Sequence, residues 1–224
     1  MAGLLETSDA GESLELRRHR HWYDRLMMLA DGVFAIAITF LAVDIGPPAG
    51  WAGGLGDLWG PLAWQLDTYA VSFIVISVFW LAHRRFMAMV LAVDAPLTVL
   101  TLVMLGLVAL LPPATRMLQA HLAFPAARIT YAGLVIAIGI SMAVIWGYAG
   151  LAAKVVHSEV GGRAHWFLLA LIVATPPLIL TLNFVIPGTP PPGVVPVVLL
   201  ALFVIGWRLR LGTLKRLGAL RHVG

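Results

Sequence analysis

Residues 25–45, RLMMLADGVFAIAITFLAVDI, are apolar enough to enter a bilayer, yet they carry a carboxylate near their start, Asp31, and a hydroxyl in their middle, Thr39. An ionised group in hydrocarbon is costly. Such groups face the protein interior or water and are functional candidates by default. A second apolar stretch, YAVSFIVISVFWLAHRRF (69–86), ends with Trp80, His83, Arg84 and Arg85. Trp80 and His83 are three residues apart and share a helix face. Asp31 stands about 9 Å along a helix from Arg25, at 1.5 Å per residue, and Trp80 and His83 fall at a similar height above the same membrane surface. An aspartate–histidine or aspartate–indole hydrogen bond would satisfy the carboxylate. The plainer roles are topogenic charge for Arg84 and Arg85, and an interfacial anchor for Trp80 and His83.

The helix that carries Asp31 has two sides. With Ile36 as reference and about 100° per residue, Phe40 lies about 40° away, Val43 about 20°, Thr39 about 60°, and Gly32 and Leu29 within about 40°. Asp31 lies about 140° away. The stripe and the carboxylate therefore cannot do the same job. If the stripe faces a symmetry axis, Asp31 faces neighbouring helices; if Asp31 faces a pore, the stripe faces lipid. Two roles fit the stripe. Small residues at Gly32, Ala35, Ala37 and Ala42 suit close packing against another helix. Alternatively, the stripe walls a narrow pore, where Thr39 offers an oxygen and Ile36, Phe40 and Val43 form constrictions that gate by dewetting.

The rest of the chain sets the frame for these residues. Of 224 residues, 60% are hydrophobic and 12% charged, about half the charged share of a soluble domain, and the mean hydropathy is +0.92. This composition predicts an integral membrane protein. Six stretches reach the roughly 20 residues needed to span: 26–45, 64–83, 92–112, 128–150, 165–186 and 194–211. GPPAGWAGGLGDLWGP (46–61) reads as an outer loop with interfacial Trp51 and Trp59, and PGTPPPG (187–193) as a tight turn. Pro176 and Pro177 fall inside the fifth span and predict a kink. Residues 1–24 are polar, without the apolar core of a secretory signal, so the first span is expected to be retained.

Alternate connections sort the Lys and Arg residues. Of the 15, only Arg116 and Arg128 fall on one side, and the other thirteen mark the cytoplasmic side. Both termini then lie inside, which requires an even number of spans and agrees with six.

Several classes are excluded or disfavoured. There is no cysteine, hence no disulfide or cysteine metal site. The net charge of +4 is small and scattered and does not suggest nucleic acid. No GxxxxGK[ST], HExxH or GxSxG occurs, and His19, His21, His121, His157, His165 and His222 lie at termini or helix ends without ligand-type spacing. No enzyme, cofactor or metal centre is expected. A secondary transporter or exporter of small solutes is the alternative to a channel. The Pro176–Pro177 kink favours it, and the absence of ionisable residues from the middles of helices three to six speaks against it.

RLMMLADGVFAIAITFLAVDI resembles the signature of the prokaryotic members of the transmembrane protein 175 family, relatives of the endolysosomal potassium channel. That signature begins with Arg, three residues and Phe-Ser-Asp, followed by a stretch like Gly-Val-Phe-Ala-Ile-Ala-Ile-Thr. Arg25, Asp31, Gly32, Val33, Phe34, Ala35, Ile36, Ala37, Ile38 and Thr39 match in register. SFIVISVFWLAHRRF is similar to the second-helix pattern, which places Trp80 and His83, and DAPLTVLTLVMLGLVALLPPAT to the proline-ended third helix. The likeness covers about residues 20–115. Two positions depart: Leu29-Ala30 stands where the family has Phe-Ser, and Arg84 where relatives often carry a second histidine.

The resemblance implies an all-α membrane protein with six transmembrane helices per subunit and the first helix lining a central pore in a homotetramer. Residues 1–24 would be a cytoplasmic segment, 25–211 the transmembrane domain and 212–224 a basic cytoplasmic tail. It implies a potassium-preferring monovalent cation channel with passive flux in the cell membrane, its partners being K+ ions, lipid and copies of itself. Carried over position by position, Ile36 is the main constriction, Thr39 the hydroxyl layer tied to potassium preference, and Phe40 and Val43 further apolar layers. Asp31, with Arg25, Trp80 and His83, holds the helices around the pore without touching ions.

Overall fold

The computed structural model describes residues 2–152, with side chains from His21 to Gly150, and the isolated positions Val197 and Ala201. The expected fifth and sixth spans, the Pro176–Pro177 kink and the 187–193 turn lie outside the described residues. Within them the chain is helical: α1 (Ala2–Ala42), α2 (Leu55–Met87), α3 (Ala95–Ala109), α4 (Leu111–Ala120) and α5 (Pro125–Gly147), followed by a π-helical turn at Tyr148–Ala152. Four helical segments are long and apolar enough to cross a membrane: His21–Ala42, Leu55–Met87, Ala95–Ala120 and Pro125–Gly150. They cover the first four expected spans.

Local chemistry sets the boundaries. α1 stops where Gly46, Pro47 and Pro48 follow. The turn that returns the chain uses Gly50 and Gly53 at φ +78° and +94°, a region open to glycine. α2 then begins at Leu55, so the second half of the expected 46–61 loop is helix. Asp57 favours that early start by sitting in the first turn, at the positive end of the helix dipole. The 33 residues of α2 extend about 50 Å, well past the roughly 30 Å hydrocarbon layer.

The third span also differs from its expected 92–112. Asp94 caps α3, its Oδ1 accepting the Leu97 N–H at 2.9 Å, with a proline in the first turn. The helix breaks at Leu110 and resumes as α4. Pro112 and Pro113 have no N–H to give the carbonyls one turn back, so the ladder cannot run through them.

The helices bury one shared core. α1 packs against α2, α3 and α4, and α5 against α2, α3 and α4. The α5 stripe Tyr131, Val135, Ile138, Met142 and Ile145 is fully buried and follows helical spacing. Trp146 stacks on Phe86 with ring centroids 4.1 Å apart. With lipid as apolar as leucine, such contacts stabilise by close packing more than by exclusion of water. Three buried hydroxyls tie α2, α4 and α5 together: Ser72 Oγ lies 2.9 Å from both Thr115 Oγ1 and Tyr131 Oη. Thr115 also donates to the Leu111 carbonyl at 2.9 Å. The bilayer core offers no water, so each hydroxyl needs such an internal partner.

Candidate functional site

The site is built from the two faces of α1. One face carries Leu26, Ala30, Phe34, Ala37 and Leu41, all buried in the subunit core. The opposite face is open. Ile36 is 56% exposed, Phe40 54% and Val43 67%, and Thr39 and Leu29 are exposed beside them. Of Gly32, Ala35, Ala37 and Ala42 only Ala37 is buried, and a Cβ placed at Gly32 would meet nothing within 4 Å. Among the described residues the stripe is therefore open.

Thr39 donates its hydroxyl proton to the Ile36 carbonyl at 2.8 Å. A hydroxyl that spends its only proton on the backbone presents lone pairs outward. An exposed aliphatic stripe with one outward oxygen can constrict a water-filled path and offer a weak cation ligand.

Asp31 is turned away from the stripe. Its Oδ1 accepts the Trp80 indole N–H at 2.7 Å, and the Arg84 guanidinium lies over the Trp80 ring, 5.2 Å from its centroid. Of the two partners considered from sequence, the indole takes the hydrogen bond. His83 is buried, 1% exposed, and its ring is tilted against Phe34 with centroids 6.1 Å apart. Neither His83 nitrogen has a hydrogen-bond partner among the described residues. Arg25 is exposed, and no ion pair joins it to Asp31 among the described residues. So the structure brings Asp31, Trp80 and Arg84 into one chain of contacts, sets His83 beside Phe34, and leaves Arg25 on the surface.

Other polar contacts went unread in the sequence. Where the chain leaves α1, Arg116 meets Asp44, and Gln65 is held between Gly46 and Gln119. At the other end, Tyr148 donates to the Asp94 carboxylate, tying the end of α5 to the start of α3. Asp94, an acid two residues before a proline and an apolar run, carried a cap signal that the expected 92–112 span passed over. The hydroxyl set of Ser72, Thr115 and Tyr131 carried no such signal. No group of metal-binding side chains occurs among the described residues.

Residues 25–112 match the family model described as the endosomal/lysosomal potassium channel TMEM175. The chain is 38% identical over 129 residues to a potassium channel of Streptomyces collinus, covering 54% of this chain and 62% of that one. It is 32% identical over 145 residues to a potassium channel of Chamaesiphon minutus, covering 60% of this chain and 70% of the relative. The crystal structure of a lysosomal potassium-selective channel TMEM175 homolog from Chamaesiphon minutus superimposes with a TM-score of 0.53 at 26% identity, over 73% of this chain and 96% of that one.

Proposed function

The chain belongs to the family of the endosomal/lysosomal potassium channel TMEM175, and from that membership we propose that it is a potassium-preferring channel for monovalent cations, with passive flux. Four copies assemble around an axis and turn the open face of α1 toward it. Ile36 forms the narrowest apolar layer, Thr39 the hydroxyl layer, and Phe40 and Val43 the layers beyond. Each subunit contributes six membrane helices, and both termini face the cytoplasm across the cell membrane. Asp31 and Trp80, with Arg84 on the indole, hold α1 to α2 behind the pore wall, and His83 and Arg25 belong to the same scaffold.

One observation carries this reading. The stripe singled out by helix geometry is open in the folded subunit, while the other face of the same helix is saturated by its own core. A single helix cannot enclose a path, so an open pore-wall face demands further copies. The Thr39 oxygen, its proton given to the Ile36 carbonyl, suits a partly dehydrated cation passing at side-chain distance.

Reconstitution into liposomes with a potassium gradient tests it. A channel sets a reversal potential near that of potassium without a second gradient, whereas a coupled carrier needs one. Ile36→Ser is expected to widen and wet the constriction, raising sodium permeation relative to potassium. An unchanged selectivity in a folded, conducting Ile36→Ser protein would place the stripe against lipid and end this reading.

A further inference from the structure

Resting on the pore reading, we infer that Arg116 is a positioning residue of the ion path. Together with Gln119 and Gln65 it clamps the outer end of α1 and so fixes the Val43 layer. Arg116 Nε and Nη2 both end 2.7 Å from Asp44 Oδ2. Asp44 follows Val43 directly, past the last regular turn of α1 at Ala42. Two residues on, the Gly46 N–H donates to Gln65 Oε1 at 3.0 Å, and the Gln65 carbonyl accepts Gln119 Nε2 at 3.3 Å. Arg116 and Gln119 are three apart on α4 and share a face. α4 thus grips the chain leaving the pore helix twice, once directly and once through α2.

The grip is anchored. Thr115, next to Arg116, is locked to Ser72 in the buried hydroxyl set that also holds Tyr131. Pro112 and Pro113 break the hydrogen-bond ladder to α3, and buried Leu111, Ala114 and Leu118 seat α4 in the core together with these contacts. Both clamp side chains are partly open, at 63% for Arg116 and 32% for Asp44. An ion pair this exposed adds little to folding. Its leverage is geometric: a small swing of the α1 end moves Val43, and every copy around the axis repeats the movement.

The competing role for Asp44 is electrostatic, a ring of carboxylates that concentrates cations at the outer mouth. The two roles differ in sign. For the full-length channel in planar bilayers at low ionic strength, the clamp predicts that Asp44→Asn and Arg116→Gln change single-channel potassium conductance in the same direction. The expected change is at most about fivefold, the ceiling set by what an exposed ion pair contributes. Asp44→Arg combined with Arg116→Asp should restore the conductance, and Arg116→Lys should restore it in part. A merely structural contact would alter the amount of assembled protein but not the conductance of the channels that remain. Opposite signs for the two single changes overturn the clamp in favour of mouth charge, and unchanged conductance in both overturns it outright. If Arg116→Gln fails to assemble, Gln119→Ala keeps the test alive: it should shift conductance the same way by a smaller factor, and no shift counts against the clamp. Failure of the clamp with Ile36→Ser still altering selectivity leaves the pore reading intact; failure of both removes the pore itself.

Discussion

Asp31 and Asp44 sit 13 residues apart on and just beyond one helix, and their surroundings treat the same functional group in opposite ways. Asp31 is half-buried among apolar helices and meets a neutral donor, the Trp80 indole, with the Arg84 charge held one ring away. Asp44 is exposed and meets a guanidinium directly. Depth decides the difference. Deep in the helix bundle a carboxylate without a hydrogen-bond partner is costly, so its donor is fixed by surrounding packing. At the helix end, water shares the charge, and the ion pair is free to serve geometry at little cost to stability.

The largest expected effect breaks the inner partner. Asp31→Ala leaves the Trp80 N–H without its acceptor and opens space beside the core. It should cost about 1–3 kcal/mol, read as a lower melting temperature in detergent and loss of potassium flux. Trp80→Phe removes the same bond from the other side and should lose a similar amount. If both variants melt and conduct as the parent does, the inner contact is incidental and the contrast between the two aspartates collapses. Gly32→Ala sharpens the comparison on the open face. With nothing within 4 Å of the new methyl group, the isolated subunit should gain up to about 1 kcal/mol from the lower helix entropy cost. Loss of the oligomer in size-exclusion chromatography, with the subunit still folded, would show that copies of α1 approach closely at this position. Smallest is the thermal stability of Asp44→Asn, expected within about 0.5 kcal/mol of the parent even where its conductance changes. A large drop in melting temperature would make the outer pair as structural as the inner one.

What could be read in advance follows from the range of the signals. That Asp31 meets the end of the second apolar helix was legible because a charge inside an apolar run is rare and helix rise places Trp80 and His83 at the same height, but which of the two would take the hydrogen bond was not. The division of α1 into a stripe and an opposite side was legible from 100° periodicity alone. Which side the subunit would bury was not, since apolar residues occupy both and lipid does not distinguish them from core. Arg116 was read only as a topogenic charge, because its partner lies 72 positions away in sequence and no local pattern joins them. The hydroxyls of Ser72, Thr115 and Tyr131 were illegible for a related reason: in a membrane helix such a group can return to its own backbone, as Thr68 does to the Trp64 carbonyl, and sequence does not separate the two cases. The glycines and prolines of 46–61 spell loop throughout, yet α2 begins at Leu55 and holds Pro61 within it.

α1 runs without interruption from Ala2 to Ala42, 41 residues or about 60 Å of continuous helix. Only its second half is apolar enough to cross the membrane. A rod of this kind has no joint between its polar half and the segment bearing Ile36. Torque applied near residue 10, by a bound partner or by a change of charge, turns the Ile36 face along with it. Under the proposed function, the amino-terminal stretch is coupled to the ion path through the stiffness of one helix.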